Sequence, residues 1–170
     1  MATRPIPTGA SVSGRLPDDP RAFVAAAEKI TNERDVEGAA AVYAEDATFE
    51  MVTDGVLERY RGRDQIAASW RAVLAALGRR RFSVAKELIA ASDGVVVNGW
   101  QGSLGGRADG RGIEVWRFDA AGQVREHRLY SYLSVRPATS WPGRLRFALT
   151  APRTAVTLLR EQRRAGVRAR

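Results

Sequence analysis

The chain contains no cysteine and a single histidine among its 170 residues. A disulfide framework, a thiol nucleophile and a thiolate metal site are thereby excluded, and one imidazole cannot build a histidine-rich metal centre. No apolar stretch approaches the roughly 20 residues that a membrane span needs. The N-terminus has an early arginine but no continuous apolar segment before small residues, so no secretory signal is expected and the protein reads as cytoplasmic. Acidic residues are scarce in one region only. Residues 137–170 hold eight arginines against Glu161, whereas residues 1–136 hold 19 Lys+Arg against 18 Asp+Glu. The formal charge of +8 therefore belongs to a C-terminal extension and gives no reason to expect nucleic-acid binding by the rest.

What is present fits one domain with an ordinary hydrophobic content of 45%. Residues 1–17 are rich in Pro, Gly, Ser and Thr and predict a mobile arm. Asp18-Asp19-Pro20 supplies a helix start, and Phe23, Ala26, Ala27 and Ile30 recur at helical spacing to about Arg34. Asp35 can cap a shorter helix, Val36 to Ala44. The period then changes. Thr48 to Val52 reads as a strand, Asp54-Gly55 as a turn and Val56 to Tyr60 as the returning strand. A third helix begins at Asp64, with Ile66, Trp70, Val73, Leu74 and Leu77 on one side, and stops at Gly78.

Four longer strands follow, about Arg80–Ala91, Val95–Leu104, Ala108–Phe118 and Gln123–Val135, with turn-prone links between them. Gly105-Gly106 and Gly110-Arg111-Gly112 read as hairpin glycines, since no helix follows to make a phosphate loop. Arg79-Arg80-Arg81 reads as a solvated edge. The order of elements predicts an α+β fold with an antiparallel meander.

That order, together with Asp35-x-x-Gly38, the run Tyr43 to Glu50 (YAEDATFE), Tyr60-x-Gly62-x-Asp64-x-Ile66 and the closing hairpin Glu114 to Arg128, resembles the nuclear transport factor 2-like, or SnoaL-like, superfamily over about residues 20–136. The resemblance implies a cone-shaped, strongly curved antiparallel sheet, with three helices from the N-terminal half packed on its concave face. It also implies a deep apolar pocket and, often, a homodimer. Members include ketosteroid isomerase, limonene-epoxide hydrolase, polyketide cyclases and many non-catalytic binding modules, so the fold alone does not settle function.

Carried over by position, the isomerase's catalytic Asp falls on Met51, its oxyanion Tyr on Ala27 and its protonated carboxylic acid on Glu114. The epoxide hydrolase's water-holding Tyr and Asn fall on Phe49 and Met51, and its Arg-x-Asp pair on Gly99 and Gln101. Its last-strand Asp, like the last-strand acid of the cyclases, falls on Leu129. None of these mechanisms transfers whole.

Pairing in the last hairpin nominates a site independently. If Asp119 to Gly122 closes a tight turn with Phe118 opposite Gln123, Glu114 lies opposite His127. Cβ atoms in such pairs are about 4.5–5.5 Å apart. The shared face includes Trp116, Phe118, Leu129 and Ser131. A carboxylate beside an imidazole in an apolar hollow is an acid–base unit able to move a proton next to a carbonyl or to activate water. The same pair also reads as a structural cross-strand contact, and a register slip of one residue would dissolve it. Phe49, Met51, Trp70, Trp100, Trp116 and Leu129 are the candidate pocket lining, fitting a flat apolar terpenoid, steroid-like or polyketide ligand, with core packing as the competing role of each. Tyr130 and Tyr132 alternate to the other face, where a dimer partner would pack.

Residues 137–143 read as a linker, and 144–164 as two short amphipathic helices broken at Pro152. Their apolar sides suit packing on the domain or lidding the pocket, the favoured role; contact with an anionic membrane surface is the alternative. The sequence thus divides into an arm (1–17), a domain (18–136) and a basic extension (137–170). It predicts a small-molecule isomerase, cyclase or hydrolase using Glu114 and His127, with no metal and no organic cofactor. A non-catalytic ligand- or protein-binding module is the second reading and a peripheral membrane module the third.

Overall fold

The computed structural model describes residues 14–104, 107–133, 135 and 140–166. Three helices and six strands make the main unit: α1 (Pro20–Glu33), α2 (Val36–Ala41), β1 (Tyr43–Thr53), β2 (Val56–Arg61), α3 (Arg63–Arg79), β3 (Phe82–Ser92), β4 (Val95–Leu104), β5 (Arg107–Phe118) and β6 (Val124–Tyr132). The strands form one curved, open sheet in the order β2-β1-β6-β5-β4-β3. β3 to β6 form the expected meander. The sheet as a whole is not wholly antiparallel, because β1 lies parallel to β6.

Local chemistry accounts for the helix starts. The Asp19 carboxylate accepts from the amides of Arg21 and Ala22, and Asp35 accepts from Gly38. Gly62, at φ 81°, turns the chain from β2 into α3 while its N–H bonds Ala47 O. β1 begins at Tyr43, inside the segment where helical spacing extends the second helix to Ala44. Tyr43 is fully buried and pairs with Val124, so its tertiary contacts override a weak local preference. Residues 14–17 also depart from the expected arm: Arg15 N–H bonds Asp119 O at 2.8 Å, and Leu16 packs on the core. The rest of the arm, the Gly105-Gly106 turn and residues 137–139 of the linker lie outside the described residues.

The concave face is organised in rows that cross the strands. Val96, Trp116, His127, Phe49 and Tyr60 form one row, and Asn98, Glu114, Leu129, Met51 and Glu58 the next. Lys86, Trp100, Gly112, Ser131 and Thr53 form the third. Helices α1 to α3 close this face through Val24, Ile66, Trp70 and Leu74. A Cβ at Gly112 would stand 2.3 Å from the Trp100 indole nitrogen, so glycine is what lets that ring lie against the sheet.

β3 is an edge strand, and α1 covers its open hydrogen-bonding side. The Asn32 side chain donates to Val84 O and accepts from Val84 N–H, both at 2.9 Å, and Glu28 accepts from Lys86 N–H at 2.6 Å. Side chains one helical turn apart thus substitute for a seventh strand and blunt the edge. Asn32→Ala is expected to lower stability by about 1–2 kcal/mol. Urea unfolding followed by circular dichroism checks this, and an unchanged midpoint would show the edge contacts to be idle.

The second unit holds α4 (Trp141–Thr150) and α5 (Pro152–Arg164), joined at Ala151. The break falls beside Pro152, as its missing N–H requires.

Candidate functional site

A cavity of about 220 Å³ opens over the second and third rows. Met51, Trp70, Trp100, Glu114 and Leu129 line it, joined by Val73, Leu77 and Phe82. Its walls are mostly apolar, with the exposed Glu58 also on the lining and one charged pair buried in it. Lys86 Nζ stands 3.0 and 2.8 Å from the two Glu114 oxygens, and the side chains are 4% and 3% exposed. Asn98 Nδ2 donates to Glu114 Oε2 at 2.7 Å, and Trp116 Nε1 donates to Asn98 Oδ1 at 2.7 Å. The Trp116 donor dictates which end of the Asn98 amide faces the carboxylate.

Both acid–base candidates are buried, but they do not form a dyad. β5 and β6 pair with Glu114 opposite Leu129 and His127 opposite Trp116, and the pairing shifts between Arg117 and Phe118. The displacement is two residues, so His127 keeps the predicted face but moves one row away. Glu114 binds Lys86 and Asn98, whereas His127 Nδ1 stands 2.8 Å from the Tyr43 hydroxyl.

His127 lies in an aromatic stack. Its ring centroid is 3.6 Å from that of Trp116 and 4.6 Å from that of Phe49, with the planes nearly parallel. Trp70 Nε1 donates to the Tyr43 oxygen at 3.0 Å; with the Tyr43 hydroxyl as donor to His127 Nδ1, the neutral imidazole carries its proton on Nε2. Burial, reinforced by the positive charge of Lys86, holds the His127 pKa well below its usual value. Burial also drives the Tyr43 phenol upward, with Glu114 adding to the rise and the Trp70 hydrogen bond opposing it.

Phe49 and His127 line a separate groove of about 460 Å³ with Arg59, Arg61 and Arg128, and Trp116 borders a chamber of about 40 Å³ under α1. None of these three lines the main cavity. Sequence reasoning missed Lys86, Asn98 and Tyr43. Lys86 left one signal: it interrupts the alternating inward series Phe82, Val84, Leu88 with a charge. Among the described residues no group of three or more His, Asp or Glu side chains is placed to hold a metal ion.

This curved sheet, closed by helices over a buried polar pole, defines a class of cone-shaped α+β pocket proteins. The chain belongs to the SnoaL-like domain family, whose sequence pattern it matches over residues 21–127. It is similar to a SnoaL-like protein of unknown function from Burkholderia thailandensis, at 22% identity over 69% of this chain and 98% of that one, with a TM-score of 0.51. A protein of unknown function with a cystatin-like fold from Methylobium petroleophilum is similar at 22% identity over 74% and 84%, with a TM-score of 0.54. An NTF2-like protein of unknown function from Cytophaga hutchinsonii is similar at 11% identity over 69% and 91%, with a TM-score of 0.49. No curated protein matches the chain.

The His127 environment fixes a pH dependence. Below about pH 6.5 the unfolded chain takes up a proton on this residue and the folded chain does not, so stability falls with acid. Between about pH 6.5 and 5 the loss should approach ~1.4 kcal/mol per pH unit, with no contribution from this group above that window. Urea midpoints across this range should slope for the parent and flatten in His127→Gln. Equal slopes in both would show that His127 is protonated in the fold.

Proposed function

We propose that the domain encloses a small hydrophobic molecule bearing one oxygen function and moves a proton on it, as isomerases, cyclases and hydrolases do. The observation that carries this reading is the isolated Lys86–Glu114 pair in an apolar cavity. An ammonium has three N–H groups, and Glu114 engages it through its two oxygens, which leaves donor capacity for a ligand carbonyl or epoxide oxygen. Glu114 Oε1 accepts from Lys86 alone and retains an acceptor site, so it is the atom suited to take a proton from the ligand and return it. His127 acts as a positioning residue that packs Trp116, which in turn orients Asn98. The cavity is smaller than the roughly 300–1,000 Å³ typical of drug-sized ligands, which favours a compact terpenoid-sized molecule over a steroid-sized one.

The second reading is a binding module of the same cone. One observation favours it: both Glu114 oxygens already hold protein donors, Lys86 on each and Asn98 on Oε2, as in a closed structural cluster. Replacing Glu114 separates the two readings. Glu114→Gln should lower turnover of a terpenoid-sized ketone or epoxide by about 10²–10⁴-fold while ligand quenching of tryptophan emission persists. Quenching without turnover in the parent would select the binding module, and neither effect across a metabolite panel would remove both. Breaking the pair exposes its energetics as well. Lys86→Met alone should cost about 3–5 kcal/mol, and Lys86→Met with Glu114→Gln should recover most of it, measured by urea unfolding.

For the assembly we propose a homodimer through the outer face of the sheet. Ile113, Tyr130, Val52 and Leu57 are successive partners across β5, β6, β1 and β2, and Ile113, Tyr130 and Leu57 are exposed. Such a row suits burial against its own copy. Tyr130→Glu should convert a dimeric mass to a monomeric one in light scattering; a parent that is already monomeric refutes the arrangement.

A further inference from the structure

The two-helix unit carries a feature that the cavity does not explain. Trp141, Leu145 and Leu149 recur at a spacing of four along α4, and all are exposed, Trp141 and Leu149 at 73%. Along α5, at 3.6 residues per turn, Ala155, Leu158, Leu159 and Val156 fall on one side and Arg153, Arg160 and Arg164 on the other. Leu158, Leu159 and Val156 are exposed as well, so neither helix covers the other's large apolar residues. The only acid in residues 137–170, Glu161, pairs with Arg164 at 2.8 Å.

We propose that residues 141–164 dock on an anionic lipid bilayer, with the apolar sides of both helices sunk into the headgroup boundary and the arginines among the lipid phosphates. Charge complementarity selects the partner, because residues 137–170 carry eight arginines against one acid. The apolar half distinguishes a bilayer from a nucleic acid. A polyanion would engage the arginines alone and leave the leucines and Trp141 in water, whereas an interface takes both halves at once. Arginine stems also cross from apolar to polar surroundings without loss of charge, and tryptophan favours the same boundary. Among the described residues no helix is long and apolar enough to cross a membrane, which leaves the surface as the place of contact. This inference is independent of the reaction proposed for the cavity, and would hold the pocket near apolar molecules that partition into lipid.

The test uses the full chain with vesicles of phosphatidylcholine alone or mixed with phosphatidylglycerol. Co-sedimentation should occur with the mixed vesicles only and should weaken as salt rises. Tryptophan emission should shift to the blue on binding, and Trp141→Phe should abolish the shift, since the other three tryptophans are buried. Binding should weaken about fivefold for each arginine removed, or on the order of twenty-five-fold for Arg153→Gln with Arg160→Gln. Leu145→Glu with Leu149→Glu should abolish it while thermal unfolding of the main unit is unchanged. Absence of binding to the mixed vesicles overturns the proposal, as does binding that survives the leucine replacements. Retention of an RNA homopolymer by the leucine variant, without vesicle binding by the parent, would assign the arginines to a nucleic acid instead.

Discussion

The buried contact between Lys86 and Glu114 is the constraint on which the rest of the site depends. An ion removed from water loses several kcal/mol of solvation, and only a close partner and further hydrogen bonds offset it. Here the compensation spans three neighbouring strands: Lys86 reaches from β3 across β4, Asn98 supplies a second donor from β4, and Trp116 on β5 fixes the Asn98 amide. Glu28 completes the arrangement from α1 by holding the Lys86 amide. The pole is therefore rigid. Asn98 is turned toward the carboxylate, which leaves the cavity wall to Met51, Leu129, Trp100 and Leu77.

Rows across the sheet explain why neighbouring side chains have such different roles. Residues two apart on a strand share a face but stand about one row apart. On β6 that step separates His127, inside an aromatic stack, from Leu129, at the cavity. On β5 it separates Trp116 from Glu114. The stack accepts an imidazole because Tyr43 occupies Nδ1, but Nε2 is buried without a hydrogen-bond partner among the described residues. A neutral ring tolerates that arrangement and a charged one does not.

The legible parts of the sequence were those governed by short-range rules. Asp19 and Asp35 announced the first two helix starts and Asp64 the third to within a residue, and alternation in β5 and β6 placed Glu114, Trp116, His127 and Leu129 on one face. Five of the eight nominated residues meet at one cavity for that reason. Alternation fixes a face but not a row. The row depends on the hairpin closure, where Asp119 N–H bonds Gln123 O and the Asp119 carboxylate caps Ala121 and Gln123. That closure displaced His127 by two residues from the expected opposition. Lys86 was hidden for another reason: its place in the inward series of β3 hints at burial, but the partner that makes burial possible lies two strands away.

The positions of most consequence on the second row are those without polarity. Positions that the sequence resemblance would assign to polar catalytic groups are held here by Met51, Leu129 and Ala27, and Met51 and Leu129 continue the row that begins at Asn98 and Glu114. In the proposed reading a ligand lies along that row with its oxygen at Lys86 and Glu114 and its hydrocarbon over Leu129 and Met51. Glu58 on β2, opposite Met51, lines the far end of the same cavity. In that reading the proton moves on atoms within reach of Glu114 Oε1, the carboxylate that shares the buried end of the row with Lys86. A single carboxylate at the buried end can both remove and return the proton, with the exposed Glu58 as the other acid on the cavity lining.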